Sequence, residues 1–156
     1  MNSESLLNRL IREGKLKKQG ADPRQINALL EAARRNFEAG RVLQGHIDEA
    51  AFKLYYDGLL QIGRAVVLAS GLRPDDGEQH KTTFQAAGII LGADFEDLIR
   101  KIQKFRVKRN DSVYDPRGLL GRSEADAIHQ TAKTFWGKVR SHLEKVNPQL
   151  KLFEDL

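Results

Sequence analysis

Phe95, Leu98, Ile102 and Phe105 recur at three- and four-residue intervals, which draws one apolar stripe down a helix. The same spacing returns in other parts of the chain, and no segment alternates as a half-buried strand does. That pattern restricts the chain to packed helices. Carried forward at the helical period, the stripe around Phe105 next meets Arg109 and Val113, with Arg106 one turn back at its edge. A guanidinium therefore stands where an aliphatic side chain is expected. Burying it costs several kcal/mol unless a carboxylate, water, a phosphate or a partner chain compensates the charge. Such a breach of local consistency marks a candidate site. Asn110, Tyr114 and Asp115 follow within six residues, all with side chains that hydrogen-bond or ionise, and Pro116 ends the run.

Six helices are expected. Ser3 to Arg12 turns Leu6, Leu7, Leu10 and Ile11 inward, and Lys15 to Gly20 reads as a basic loop. Asp22-Pro23 supplies an N-cap and a first-turn proline for a helix through Ile26, Leu29, Leu30, Ala33 and Phe37, ending near Gly40 or Leu43. The third helix runs from Ile47 to about Ser70 and closes on Gly71. Ala51, Gly58 and Ala65 place small residues at every seventh position along it, room for a neighbouring helix of this chain or of a second copy. Tyr55, Tyr56 and Asp57 flank that crossing. Arg73 to Gly77 is a loop, Glu78 to Leu91 a fourth helix, and Asp94 is placed to cap the fifth. Ser123 and Asp126 are spaced like a capping box for a sixth, which continues through Phe135 and Trp136 to about Asn147. The expected fold is an all-α, up-and-down bundle of four principal helices with shorter N-terminal and accessory ones. Residues 1–147 form its single domain and residues 148–156 a short C-terminal tail.

A chain of 156 residues is long enough to bury a core in one domain. It has no cysteine, which removes disulfides, thiol catalysis and Cys-ligated zinc. No apolar run approaches the roughly 20 residues of a membrane span, and no secretory signal opens the chain, so a cytoplasmic location is expected. Phosphate-loop and dinucleotide-loop patterns are missing, and His46, His80, His129 and His142 never stand at metal-ligand spacing. Neither a metal nor a cofactor is expected. The net charge is +5, and from Arg100 to Arg122 basic residues far outnumber Asp111 and Asp115, a distribution suited to a polyanion.

The segment Arg109-Asn110-Asp111-Ser112-Val113-Tyr114-Asp115-Pro116 resembles the signature of the HEPN (higher eukaryote and prokaryote nucleotide-binding) domains. That signature is an Arg, a polar residue and then, after a short gap, a His near the end of a late helix. Here Tyr114 takes the place of the His, similar to a small prokaryotic branch that ends in Tyr-Asp. The stretch from Ala50 to Leu60 looks like the family's tyrosine-rich central helix, and Gly77 to Lys81 resembles the His-Lys segment that opens the next.

The resemblance implies an all-α bundle that often forms homodimers. It also implies RNA or a nucleotide as ligand, and pairing with a nucleotidyltransferase-type partner or a place in a toxin–antitoxin system. It makes Arg109, Asn110 and Tyr114 the candidate catalytic residues, and Arg106, Lys108, His80, Lys81, Tyr55 and Asp57 the candidate phosphate- or substrate-binding ones. Tyrosine, with a pKa near 10, is a poor general base at neutral pH, whereas the arginines keep their capacity for bidentate phosphate binding. A nucleotide- or RNA-binding module is therefore expected first. A metal-independent dimeric endoribonuclease using Arg109 with Tyr114 or His80 stands second. Third is a structural bundle in which Arg109 clamps Asp57 or Asp115.

Overall fold

The structure is a computed structural model and describes residues 2–118 and 120–154. It is an all-α bundle. Six α-helices account for most of the described residues: α1 (Ser3–Arg12), α2 (Pro23–Leu43), α3 (Asp48–Ala69), α4 (Gln79–Leu91), α5 (Glu96–Tyr114) and α6 (Arg122–Val146). Among the described residues no helix is long and apolar enough to cross a membrane.

α3 is the axis of the bundle. Ala51, Phe52, Tyr55, Tyr56, Leu59, Ile62 and Val66 are all fully buried, since α2, α4, α5 and α6 cover it on several sides. The small-residue positions explain how closely those neighbours come. A methyl group built on Gly58 would lie 2.5 Å from the Phe37 ring of α2, and one on Gly63 would lie 3.1 Å from Thr83 of α4. The crossing left open by the sequence is thus filled from within the chain, by Phe37. Gly71, with φ of 76°, ends α3 as the expected left-handed glycine after the C-cap.

Local signals set the helix starts as expected in one place and differently in two. Asp22 accepts a hydrogen bond from the Arg24 N–H and Pro23 opens α2. Asp94, by contrast, does not cap α5. It falls in a 3-10 turn, Ala93–Phe95, and α5 begins without a side-chain cap. The capping pair at α6 is also not Ser123 with Asp126. The Glu124 carboxylate accepts the Gly121 N–H at 3.0 Å, and Asp126 instead binds the side chains of Arg122 and Gln44.

The expected loops 15–20 and 73–77 carry a feature with no alternating pattern behind it. Leu16–Lys18 (β1) pairs antiparallel with Leu72–Pro74 (β2), in the register Leu16 with Pro74 and Lys18 with Leu72. Three residues per strand are too few to show a period of two. The buried side chains Leu16 and Leu72 anchor the ribbon on the bundle.

The last described residues pack back on the bundle. Phe153 stacks on Trp136 of α6 at 3.9 Å, and the Trp136 indole N–H donates to the Phe153 and Glu154 carbonyls. The Lys151 N–H donates to Asn27 of α2, and Leu150 is buried.

Candidate functional site

The inward line of α5 runs through Ile102, Phe105, Arg109 and Ser112, at three- and four-residue steps. Val113, expected inward, is exposed, and the buried Ser112 takes that place. Arg109 thus enters the bundle from α5 and meets α3. Its guanidinium carbon lies 5.3 Å from the centre of the Tyr56 ring, and Nη2 stands 3.5 Å from Asp57 Oδ1. The arginine side chain is 27% exposed and the aspartate 40%. Arg109 Nε is buried without a hydrogen-bond partner in the described structure. Of the two clamps open to Arg109, Asp57 is the one it reaches, while Asp115 is bound bidentately by Arg117.

Tyr56 links this pair to the start of α4. Its hydroxyl is 3.1 Å from His80 Nδ1, and its ring packs against Phe84. Burial pushes the Tyr56 phenol up to about 12, opposed by the nearby Arg109 and Arg106, so it stays protonated at neutral pH. Burial, then Arg64 and Arg109, hold the His80 imidazole below its ordinary value, which leaves it neutral. Burial also raises the Asp57 carboxyl, and the pull of Arg109 at 3.5 Å does not offset it. The ion pair is therefore a loose one.

Outside this line of groups lies a cleft of about 260 Å³ between the first turn of α4 and the last turns of α5. It is lined by Gly77, Glu78, Gln79, His80, Lys81, Arg106 and Asn110. The Arg106 side chain is oriented by its Nε–H donating to Gln103, which in turn donates to the Lys81 carbonyl. Arg106 makes no ion pair among the described residues, and Lys81 reaches Glu78 only at 4.0 Å. A polar cleft with an unpaired arginine, a lysine and two amide side chains is chemically suited to an anion.

The structure brings Asp57, His80, Lys81, Arg106, Arg109 and Asn110 together at the meeting of α3, α4 and α5. It leaves three expected residues elsewhere. Tyr114 is 87% exposed at the end of α5. Five residues past Arg109 on a helix is about 140° around the axis, so the pair read along the sequence does not share a face. Lys108 is exposed. Tyr55 is fully buried on another side of α3, where its ring stacks on His129 at 4.7 Å and its hydroxyl donates to Gln44 at 2.7 Å. Tyr56, which is not among the expected site residues, is the residue that joins Arg109 to His80. Its position beside Asp57 and one helical heptad before Gly63 carries no mark that separates it from Tyr55.

No protein-family model matches this chain, and neither curated proteins nor solved structures provide a match.

Proposed function

We propose that the protein is a phosphate-recognising module that binds RNA or a nucleotide at the cleft between α4 and α5, in the manner the HEPN resemblance implies. The observation that carries this reading is Arg106. It lines the cleft with no carboxylate partner among the described residues and is held in place by the Gln103 bridge to the Lys81 carbonyl. An arginine held in a fixed orientation loses little freedom on closing on a phosphate, and Lys81 and Asn110 add further donors. Arg109, one turn further along α5, adds positive charge behind the cleft and lies over Tyr56, whose hydroxyl meets His80.

The test is fluorescence polarisation of a labelled single-stranded RNA at two salt concentrations. The wild-type protein is expected to bind with an affinity that falls as salt rises, and Arg106→Ala to lose about tenfold. Unchanged affinity in Arg106→Ala would remove the reading. The resemblance further implies a nucleotidyltransferase partner and a second copy of this chain, which co-purification and sedimentation address.

A second reading, metal-independent RNA cleavage, is favoured by one contact, that of His80 with Tyr56 beside Arg109. A neutral imidazole is a competent proton acceptor at neutral pH, whereas Tyr114 is far round the helix. In this reading His80 moves the proton and the arginines stabilise the phosphate. Cleavage of labelled RNA in chelator, lost in His80→Ala and in Arg106→Ala, would establish it. Absence of cleavage by folded wild-type protein at high concentration would leave binding alone.

A further inference from the structure

A second cleft, of about 430 Å³, lies on the other side of the first turn of α4, and Gln79 lines both. The two differ in chemistry. The first is polar and carries Arg106 and Lys81. The second has an apolar floor of Leu29, Leu68 and Leu72, with Leu68 and Leu72 almost fully buried. Around that floor stand the amide side chains of Gln19, Gln25 and Gln79. Its size falls within the roughly 300–1,000 Å³ of small-molecule pockets, and apolar walls with a few directional polar groups are the usual composition of such sites.

We infer that the two clefts form one bipartite site for a nucleotide unit, with the phosphate between Lys81 and Arg106 and the base over Leu29 and Leu72. This rests on the phosphate reading of the first cleft and adds the second subsite to it. A planar base has two apolar faces and an edge of alternating donors and acceptors. A leucine floor meets one face, and carboxamides, which both donate and accept, meet the edge. Arg64 and Arg73 also line the second cleft, and a guanidinium plane can cover the other face. Arg73 is tied to Asp75 at 3.1 Å, whereas Arg64 forms no ion pair among the described residues and is available to a ligand. Gln79, between the two clefts, faces the ribose in this arrangement.

The nucleotide unit is either free or one link of a strand, and calorimetry with four probes separates these sources and both subsites. The probes are inorganic phosphate, ribose 5-phosphate, adenosine 5′-monophosphate and a short oligoadenylate. Wild-type protein is expected to bind adenosine monophosphate at least tenfold tighter than ribose 5-phosphate. Further tightening with oligoadenylate would assign the site to a strand, and equal affinity to the free nucleotide. Gln25→Trp fills the second cleft from an exposed position on α2, so it is expected to keep the melting temperature. It should abolish the preference for the base and leave ribose 5-phosphate binding unchanged. Arg106→Ala should weaken every probe. Equal wild-type affinity for the monophosphate and ribose 5-phosphate would overturn the base subsite while leaving the phosphate reading in place. The same holds if Gln25→Trp weakens both alike. No binding of any probe would overturn both.

Discussion

The guanidinium of Arg109 lies over the ring of Tyr56, 5.3 Å from its centre, while its nearest carboxylate oxygen, on Asp57, is 3.5 Å from Nη2. The charge that interrupts the apolar stripe of α5 is thus accommodated by an aromatic face and a loose ion pair together. Arg109→Met keeps the stem and removes the charge, and is expected to cost about 1 kcal/mol, the sum of a modest cation–π contact and a partly solvated pair. Asp57→Asn is expected to stay within about 0.5 kcal/mol of wild type, because the pair is weak and burial already disfavours the carboxylate. Chemical denaturation of both variants checks this. A loss of several kcal/mol in either would mean a tight buried bridge instead.

Gly58 and Phe37 make the closest approach of α2 to α3. Gly58→Ala puts a methyl group 2.5 Å from the ring, a distance that forces α2 outward or the ring off its rotamer. Overpacking of this kind costs about 1–3 kcal/mol. The double variant with Phe37→Leu should recover part of that loss, since the smaller side chain vacates the space. Additive losses in the double-mutant cycle would refute the contact as the cause.

Stacking of Phe153 on Trp136 buries the only tryptophan of the chain. Phe153→Ala is expected to destabilise by about 1–2 kcal/mol through lost stacking and burial. It should also shift the tryptophan emission to the red as water reaches the indole. Unshifted emission would show that residues 150–154 do not cover Trp136 in solution.

Three histidines set an acid limit. Burial holds His129 and His142 below their ordinary value, as it does His80, and Nε2 of both His129 and His142 is buried without a partner among the described residues. An unfolded chain takes up these protons near pH 6.5 and the folded chain only at lower pH. Their contribution is therefore intact above about 6.5 and declines as the pH falls below it. Asp57, raised by burial, has the opposite sign, its ionisation opposing the folded state. Melting temperature should fall between pH 7.5 and 5.5, and His142→Leu should flatten part of that slope. A profile level across this range would contradict the assignment.

The helices were legible because their signals are local and strong. Asp22-Pro23 starts α2, Gly71 ends α3, and three- and four-residue spacing places Ile102 and Phe105 inside. What could not be read depends on contacts distant in sequence. The ribbon of Leu16–Lys18 with Leu72–Pro74 is too short to carry a period and exists because α1, α2 and α3 bring its strands together. At the site, the sequence marks Arg109 as a charge out of place on an apolar stripe with Arg106 at its edge, whereas His80 enters through the resemblance of the segment from Gly77 to Lys81. Tyr114 is near Arg109 along the chain but the helix turns it away to solvent, and nothing local in the sequence separates Tyr56 from the adjacent Tyr55.

The two-stranded ribbon has a kinetic consequence. Leu72, Arg73 and Pro74 form one strand and also one wall of the second cleft, and the opposing strand is held by the Gln19 N–H on the Gly71 carbonyl and the Asp75 N–H on the Lys15 carbonyl. So small a ribbon, joining the beginning of the chain to its middle, is expected to open by local unfolding before the helices do. Each opening also dismantles that wall. A ligand seated there would therefore slow amide hydrogen exchange at Gln19 and Asp75 far more than at the centre of α3. The lifetime of the ribbon would then limit how long the cleft keeps its shape.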